Sequence, residues 1–143
     1  MCSRSRQFSP RPSDKDQVAS TKKMTGQPKD LVKRTFVFAQ TVRRFVDRLP
    51  KSVSNNEDTK QLVCSSGSVA ANYLETQEGL SRKDFFYRVK VSRKEARESG
   101  LWLKLLGIGT DSTLAQERER LVTEAEELKL IFSSIAGKDD TGD

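Results

Sequence analysis

The residues of this sequence that could do chemistry are the cations between positions 81 and 106, because histidine, on which the usual catalytic and metal sites depend, is missing. The 143-residue chain contains no histidine, which is the usual general base at neutral pH and the commonest metal ligand. Ser-His-Asp and Cys-His catalysis, HExxH sites and Cys/His zinc sites are therefore excluded. Since no nucleophile, base or metal cluster is assembled, we expect a protein that is not an enzyme, with no catalytic residue, no metal and no cofactor.

Residues 81–106 carry eight basic and three acidic side chains, a net charge of +5. Cations spaced along one helix can pair with phosphates and release their counterions, which favours nucleic-acid binding. The alternative is a solvated helix face with local ion pairs such as Lys94 with Glu98. The residue types leave both interpretations open. The candidate residues for binding nucleic acid or a partner are Arg82, Lys83, Arg88, Lys90, Arg93, Lys94, Arg97 and Lys104.

The net charge of the whole chain is less informative about binding than the distribution of the charges along it. The 26 Lys and Arg residues against 20 Asp and Glu residues give a formal charge of +6. Residues 1–29 hold seven of the cations and two of the carboxylates, so they carry +5 and leave +1 for the rest of the chain. A global isoelectric argument for nucleic-acid binding is therefore weak, and the local charge of residues 81–106 is the better clue.

The composition divides the chain into one domain and two tails. Residues 1–29 are rich in Ser, Pro, Arg and Lys and poor in apolar side chains, which predicts a disordered basic tail. Residues 30–136 form the predicted domain, and residues 137–143 a short acidic tail. The chain shows no apolar core of a secretory signal and no stretch long enough to span a membrane. We therefore expect a cytoplasmic location and no membrane partner.

Four amphipathic helices are predicted in the domain, with short loops between them. Asp30 is the expected N-cap of the first helix, and Ser81 with Asp84 forms a variant capping box before the third. Residues 51–58 are polar and predict a loop. The fold class is therefore all-α, an antiparallel up-down-up-down four-helix bundle. The predicted helices are Asp30–Leu49, Thr59–Glu75, Ser81–Leu106 and Leu114–Ala136.

Two of these helices carry more apolar surface than one bundle can bury. The first has two neighbouring apolar stripes, and the end of the third is apolar almost all round. Such surplus surface indicates self-association. The candidate residues for an oligomer interface are Val32, Phe36, Leu101, Trp102 and Leu105.

Two further motifs favour structural roles. Gly67 lies within a run of small residues, and glycine inside a helix costs about 1 kcal/mol relative to alanine, so we expect close helix packing there; a frayed helix is the alternative. Asn72 and Glu75 lie one turn apart and suggest a polar network between helices, with a ligand or RNA contact less favoured. Glu124 and Glu127 are also one turn apart, and without histidine we expect salt bridges to Arg93, Arg97 or a neighbouring subunit.

Several motifs, taken in their order and spacing, resemble the bacterial four-helix bundle proteins named after the intervening sequences of 23S ribosomal RNA genes. The resemblance extends from about Asp30 to Ala136. One departure is that Glu75 is followed by Thr76 and the glycine comes at Gly79, where many members have Glu-Gly. The motifs are Ser68–Glu75, Leu80–Phe86, Arg88–Ser99, Trp102-Leu103, Glu124–Leu128 and Ile131–Ile135.

The resemblance implies an antiparallel bundle that assembles into a homopentamer and has no established enzymatic activity. A related branch is the accessory variability determinant of diversity-generating retroelements, a basic protein that binds a reverse transcriptase and nucleic acid. The expected partners are therefore other copies of the chain, RNA or DNA, and a reverse transcriptase or another protein. We expect an oligomeric binding module that engages nucleic acid or a nucleic-acid enzyme. The alternative is a scaffold protein that acts through protein contacts alone.

Overall fold

The computed structural model describes residues 28–139, with side chains from residue 30. This part of the chain contains four α-helices and no strand, which confirms the all-α prediction. A 3-10 helix, Thr76–Glu78, follows the second of them. Most of the predicted tails, 1–29 and 137–143, lies outside the described residues. The helices are α1 (Pro28–Val46), α2 (Val53–Glu75), α3 (Arg82–Leu105) and α4 (Ser112–Ala136).

Local capping residues mark the starts of α2, α3 and α4. The Ser81 hydroxyl accepts a hydrogen bond from the Asp84 amide at 3.2 Å, as the predicted capping box requires. Asp111 caps α4 by accepting from the amide of Thr113 at 2.8 Å. Asp30 does not cap α1. It lies in the first turn of that helix, where its carboxylate is favoured by the helix dipole.

Helix α2 begins six residues earlier than the sequence predicts, and the predicted loop 51–58 is wrong. Ser52 has extended backbone angles and its hydroxyl accepts from the Asn55 amide at 3.0 Å, which starts the helix at Val53. The Asn55 side chain is buried and donates to the carbonyls of Pro50 and Gly107, each at 2.9 Å. Its own oxygen accepts from the Gly107 amide at 2.8 Å. The side-chain amide of Asn55 therefore connects the start of α2 to the end of α3.

Each helix packs against two neighbours. Helix α1 contacts α2 and α4, and α3 also contacts α2 and α4. The core between them combines large apolar side chains with buried serines, and the Ser65 and Ser99 hydroxyls hydrogen-bond across α2 and α3 at 2.8 Å. No helix in the described part combines the length and apolar character needed to cross a membrane. The largest fully buried apolar side chains are Phe38, Val42, Phe45, Leu62, Val69, Val89, Leu103, Leu128 and Phe132.

Candidate nucleic-acid interface

Seven of the eight predicted cations of α3 lie on one side of the helix. Successive helical residues are rotated by about 100°, which places these seven within an arc of about 120°. The arc runs from the edge that faces α4 to the outer surface of α3. We call this set the α3 basic stripe. It consists of Arg82, Lys83, Lys90, Arg93, Lys94, Arg97 and Lys104.

Arg88 lies outside this arc, on the side of α3 that faces α2. Its guanidinium donates to the Asn72 side-chain oxygen at 2.7 Å and lies 6.0 Å from the centre of the Tyr87 ring. The Asn72 amide in turn donates to the Ser68 carbonyl at 2.9 Å. The predicted polar network around Asn72 thus joins α2 to α3 and includes Arg88. Helical phase alone would have separated Arg88 from the other seven cations.

Four residues of the α3 basic stripe have partners within the protein. Arg82 donates to the Lys138 carbonyl at 3.1 Å, with its guanidinium 4.9 Å above the Phe86 ring. Lys90 pairs with Asp139 at 3.1 Å. Lys104 and Lys94 make longer pairs with Glu126 at 3.7 Å and with Glu95 at 3.6 Å. The local pair expected for Lys94 was with Glu98, and the structure gives it Glu95 instead.

Lys83, Arg93 and Arg97 have no hydrogen bond or ion pair from their side chains within residues 28–139. Lys83 and Arg97 are exposed, and Arg93 is half-buried. Lys129 of α4 also lacks an ion pair there, and it lies one turn after Glu126 on the side of α4 that faces α3. Lys129 was not among the predicted residues, because its position relative to α3 depends on the register between the two helices.

Glu95 is a half-buried carboxylate on the other side of α3. Burial raises the pKa of Glu95 above its ordinary value, and the neighbouring Lys94 lowers it only in part. No group of three or more acidic or cysteine side chains within residues 28–139 is placed to hold a metal ion. The exposed surface of α3 is therefore a row of cations with Leu101 inside its arc and Tyr87 and Leu105 at its edge.

Glu124 and Glu127 do form salt bridges, but the predicted partners Arg93 and Arg97 are wrong. Both carboxylates bind Arg34 of α1. The Arg34 guanidinium contacts Glu124 twice, at 2.7 and 2.9 Å, and Glu127 once, at 2.7 Å. The hydrogen bond that Arg34 donates to Glu124 raises the pKa of Arg34, against the lowering effect of burial. These ion pairs connect α1 to α4, away from the α3 basic stripe.

Gly67 lies inside an unbroken helix, so the alternative of a frayed segment is wrong. An added Cβ at this position would lie 3.0 Å from Nη2 of Arg43. That guanidinium spans two helices, since it donates to the Ala39 carbonyl at 3.0 Å and to the Val63 carbonyl at 3.2 Å. The close neighbour of Gly67 is thus an arginine side chain. Glu75, by contrast, is exposed.

The predicted interface residues divide into two groups. Phe36, Leu101 and Leu105 are between 45% and 54% exposed, which leaves large apolar side chains on the surface. Val32 and Trp102 are partly buried against the core of the same chain. Five further apolar residues are exposed and were not predicted as interface residues, which are Val37, Val53, Leu74, Tyr87 and Leu130.

The four helices and the absence of strands within residues 28–139 place the protein in the class of all-helical, four-helix folds. No family model and no curated protein matches the chain. A crystal structure of a protein of unknown function from the S23 ribosomal protein family of Bacteroides thetaiotaomicron does match. The identity is 26%, the TM-score is 0.63, and the match covers 77% of this chain and 97% of that one. This structural neighbour confirms the resemblance to the 23S rRNA intervening-sequence family.

Proposed function

We propose that this protein is a cytoplasmic, non-enzymatic and oligomeric module that engages nucleic acid through the α3 basic stripe. An enzyme acting on nucleic acid, such as a reverse transcriptase, would be engaged through the same surface. The observation that carries the proposal is the unpaired state of Lys83, Arg93 and Arg97 within the described residues. Arg93 and Arg97 are four residues apart, a spacing at which like charges destabilise a helix by a few tenths of a kcal/mol. An external polyanion would relieve that repulsion.

The bundle that carries the α3 basic stripe would have four helices in antiparallel order. We propose an antiparallel order of the helices, which is supported by the direction of the contacts between them. From Arg34 in α1 to Arg48, two residues after the end of α1, the contact position advances while the partners in α4 recede from Glu124 to Glu117. The residues Asn72 and Ser65 of α2 likewise meet Arg88 and Ser99 of α3. An up-down-up-down bundle has this pattern.

Self-assembly would present several copies of the stripe on one particle. Two exposed apolar pairs support it, Phe36 with Val37 on α1 and Leu101 with Leu105 on α3, because isolated proteins rarely leave large apolar residues grouped at the surface. The resemblance to the four-helix family favours a homopentamer. Repeated around such a ring, the cations would form an extended electropositive surface.

Fluorescence anisotropy with labelled oligonucleotides tests the proposal. We expect binding at about 50 mM salt that weakens steeply towards about 200 mM. The double substitution R93E/R97E should weaken binding at least about tenfold, because each reversal removes one phosphate contact and adds repulsion. R44E/K51E is the matched control, since these two exposed cations lie off α3 and the net charge changes equally. No binding at low salt, or equal losses in both variants, would overturn the proposal.

The second candidate function is a scaffold that acts through protein contacts without nucleic acid. The exposed apolar residues Phe36, Leu101 and Leu105 favour it. A pull-down from the native host after nuclease treatment separates the two candidates. A stable protein partner that survives nuclease and is lost in L101E/L105E but kept in R93E/R97E would support the scaffold.

A further inference from the structure

We infer that the α3 basic stripe binds the sugar-phosphate backbone of double-stranded nucleic acid, without reading the base sequence. The inference rests on the proposed function and adds the class of nucleic acid to it. Three features of the described residues carry it: the length and rigidity of the stripe, the lack of a base-stacking surface along it, and the location of the cavities.

The dimensions of the stripe fit a duplex. Lys83 and Lys104 are 21 positions apart, which corresponds to about 32 Å along the helix axis. One turn of a nucleic-acid duplex is about 34 Å long. The support is rigid, since α3 is held on both sides by α2 and α4 and its inner residues are fully buried. Cations held on a rigid helix can contact the phosphates of a rigid duplex without ordering either partner, whereas a single strand would have to be straightened at an entropic cost.

The stripe offers little for unpaired bases to stack on. Proteins that bind single strands combine a charged groove with aromatic side chains under successive bases. Phe86 shares the arc of the stripe, but it is buried and lies beneath the Arg82 guanidinium. Trp102 is packed against the core. Tyr87 is 61% exposed at the edge of the stripe, and the Arg88 guanidinium lies 6.0 Å from its ring centre. One ring beside the row of cations is not a stacking platform.

Two cavities of the described residues lie away from the stripe. One, of about 230 Å³, lies between α1 and α4 and includes Val37, Thr41 and Leu121. The other, of about 490 Å³, adjoins the connection between α1 and α2, around Pro50 and Asn55. Neither could receive a base from a nucleic acid lying along the stripe, so contacts to phosphates are what the stripe can supply. Phosphate contacts position a protein on a duplex but carry no sequence information.

The test compares a DNA duplex, an RNA duplex and the separated strands in one anisotropy assay, each of about 20 base pairs or nucleotides, roughly two helical turns. We expect at least one duplex to bind more tightly than either of its single strands, with unrelated duplex sequences equal within about twofold. The DNA and RNA arms identify which duplex is preferred. R93Q/R97Q should reduce the slope of log affinity against log salt by about 1.8 for each docked chain, from about 0.9 per phosphate contact.

Tyr87→Ala separates backbone binding from base stacking. The side chain is exposed, so its removal should leave the fold intact, and we expect duplex affinity to change less than twofold. Loss of a stacked base would weaken binding by about fivefold or more. Single strands that bind as tightly as the duplexes, together with such a loss in Y87A, would overturn the inference and leave the proposed function standing. Absence of binding to all of the oligonucleotides would overturn both.

Discussion

Substitution of Arg34 should destabilise the fold mainly through Glu124 and much less through Glu127. The guanidinium makes two short hydrogen bonds to Glu124 and one to Glu127. The exposure of the carboxylates differs too, since the Glu124 side chain is 28% exposed and that of Glu127 55%. Solvent screens the second pair more strongly than the first.

The size of the effect follows from these contacts. A hydrogen bond to a charged group contributes about 1.5–3 kcal/mol when it is well shielded, while an exposed ion pair contributes about 0.2–1 kcal/mol. The bidentate contact to Glu124 is one-third exposed on the Arg34 side, so we expect a coupling free energy of about 1–1.5 kcal/mol for that pair. The coupling of Arg34 to Glu127 should be about 0.5 kcal/mol or less.

Double-mutant cycles measure these couplings directly. The free energy of unfolding would be obtained from urea titrations followed by circular dichroism, for R34Q, E124Q, E127Q and the two double variants. The matched control is the cycle of R97Q with E124Q, a pair that the sequence alone favours and the structure does not contain. We expect its coupling to be indistinguishable from zero.

Two results would refute the reasoning. Equal couplings of Arg34 to Glu124 and Glu127 would mean that bidentate geometry and exposure do not decide the energy of this cluster. A measurable coupling between Arg97 and Glu124 would mean that the packing of α1 against α4 is not as described.

Three further predictions concern other parts of the fold. E95Q should raise the free energy of unfolding at pH 7, because burial raises the pKa of the native carboxyl and penalises its charged form. This gain in stability over the wild type should disappear as the pH falls below about 4.3, the pKa of glutamate in the unfolded chain. N55A should cost about 2–3 kcal/mol in urea titrations, since it removes a buried amide that makes three hydrogen bonds to the backbone of Pro50 and Gly107. A loss under about 0.5 kcal/mol would contradict this. L101E/L105E should lower the particle mass in light scattering, whereas L130E, which alters an exposed leucine of α4, should not; equal masses throughout would remove these leucines from the interface.

Local sequence signals predicted the helices well where the cap and the helix are neighbours in the chain. The start of α3 was predicted to within two residues from Ser81 and Asp84. The end of α4 was predicted equally well from Gly137. The start of α2 was missed because a polar stretch reads as a loop, and Asn55 is stabilised there by Gly107, which is 52 residues away. A buried amide with distant partners leaves no periodic signal.

The candidate site was predictable in its residue types and less so in its arrangement. Helical phase places seven cations of α3 on one side and Arg88 on another, and both facts can be read from spacing. The spacing does not show which of the seven cations already have partners. Lys90 pairs with Asp139 and Lys104 with Glu126 because of the register of α3 against α4 and the residues that follow it. The partner of Glu124 was missed for the same reason, since Arg34 is 90 residues away in sequence.

The Asn55 amide also bears on the order in which the chain folds. Its hydrogen bonds join the start of α2 to Gly107, just after α3, so they can form only after the far ends of α2 and α3 have come together. Ser65 and Ser99 of the same two helices lie nearer to the connection between them, 34 rather than 52 residues apart. We expect the helical pair to form early and the Asn55 bonds late. Removing this amide should then accelerate unfolding while leaving the folding rate nearly unchanged, which makes Asn55 a determinant of how long the native state persists.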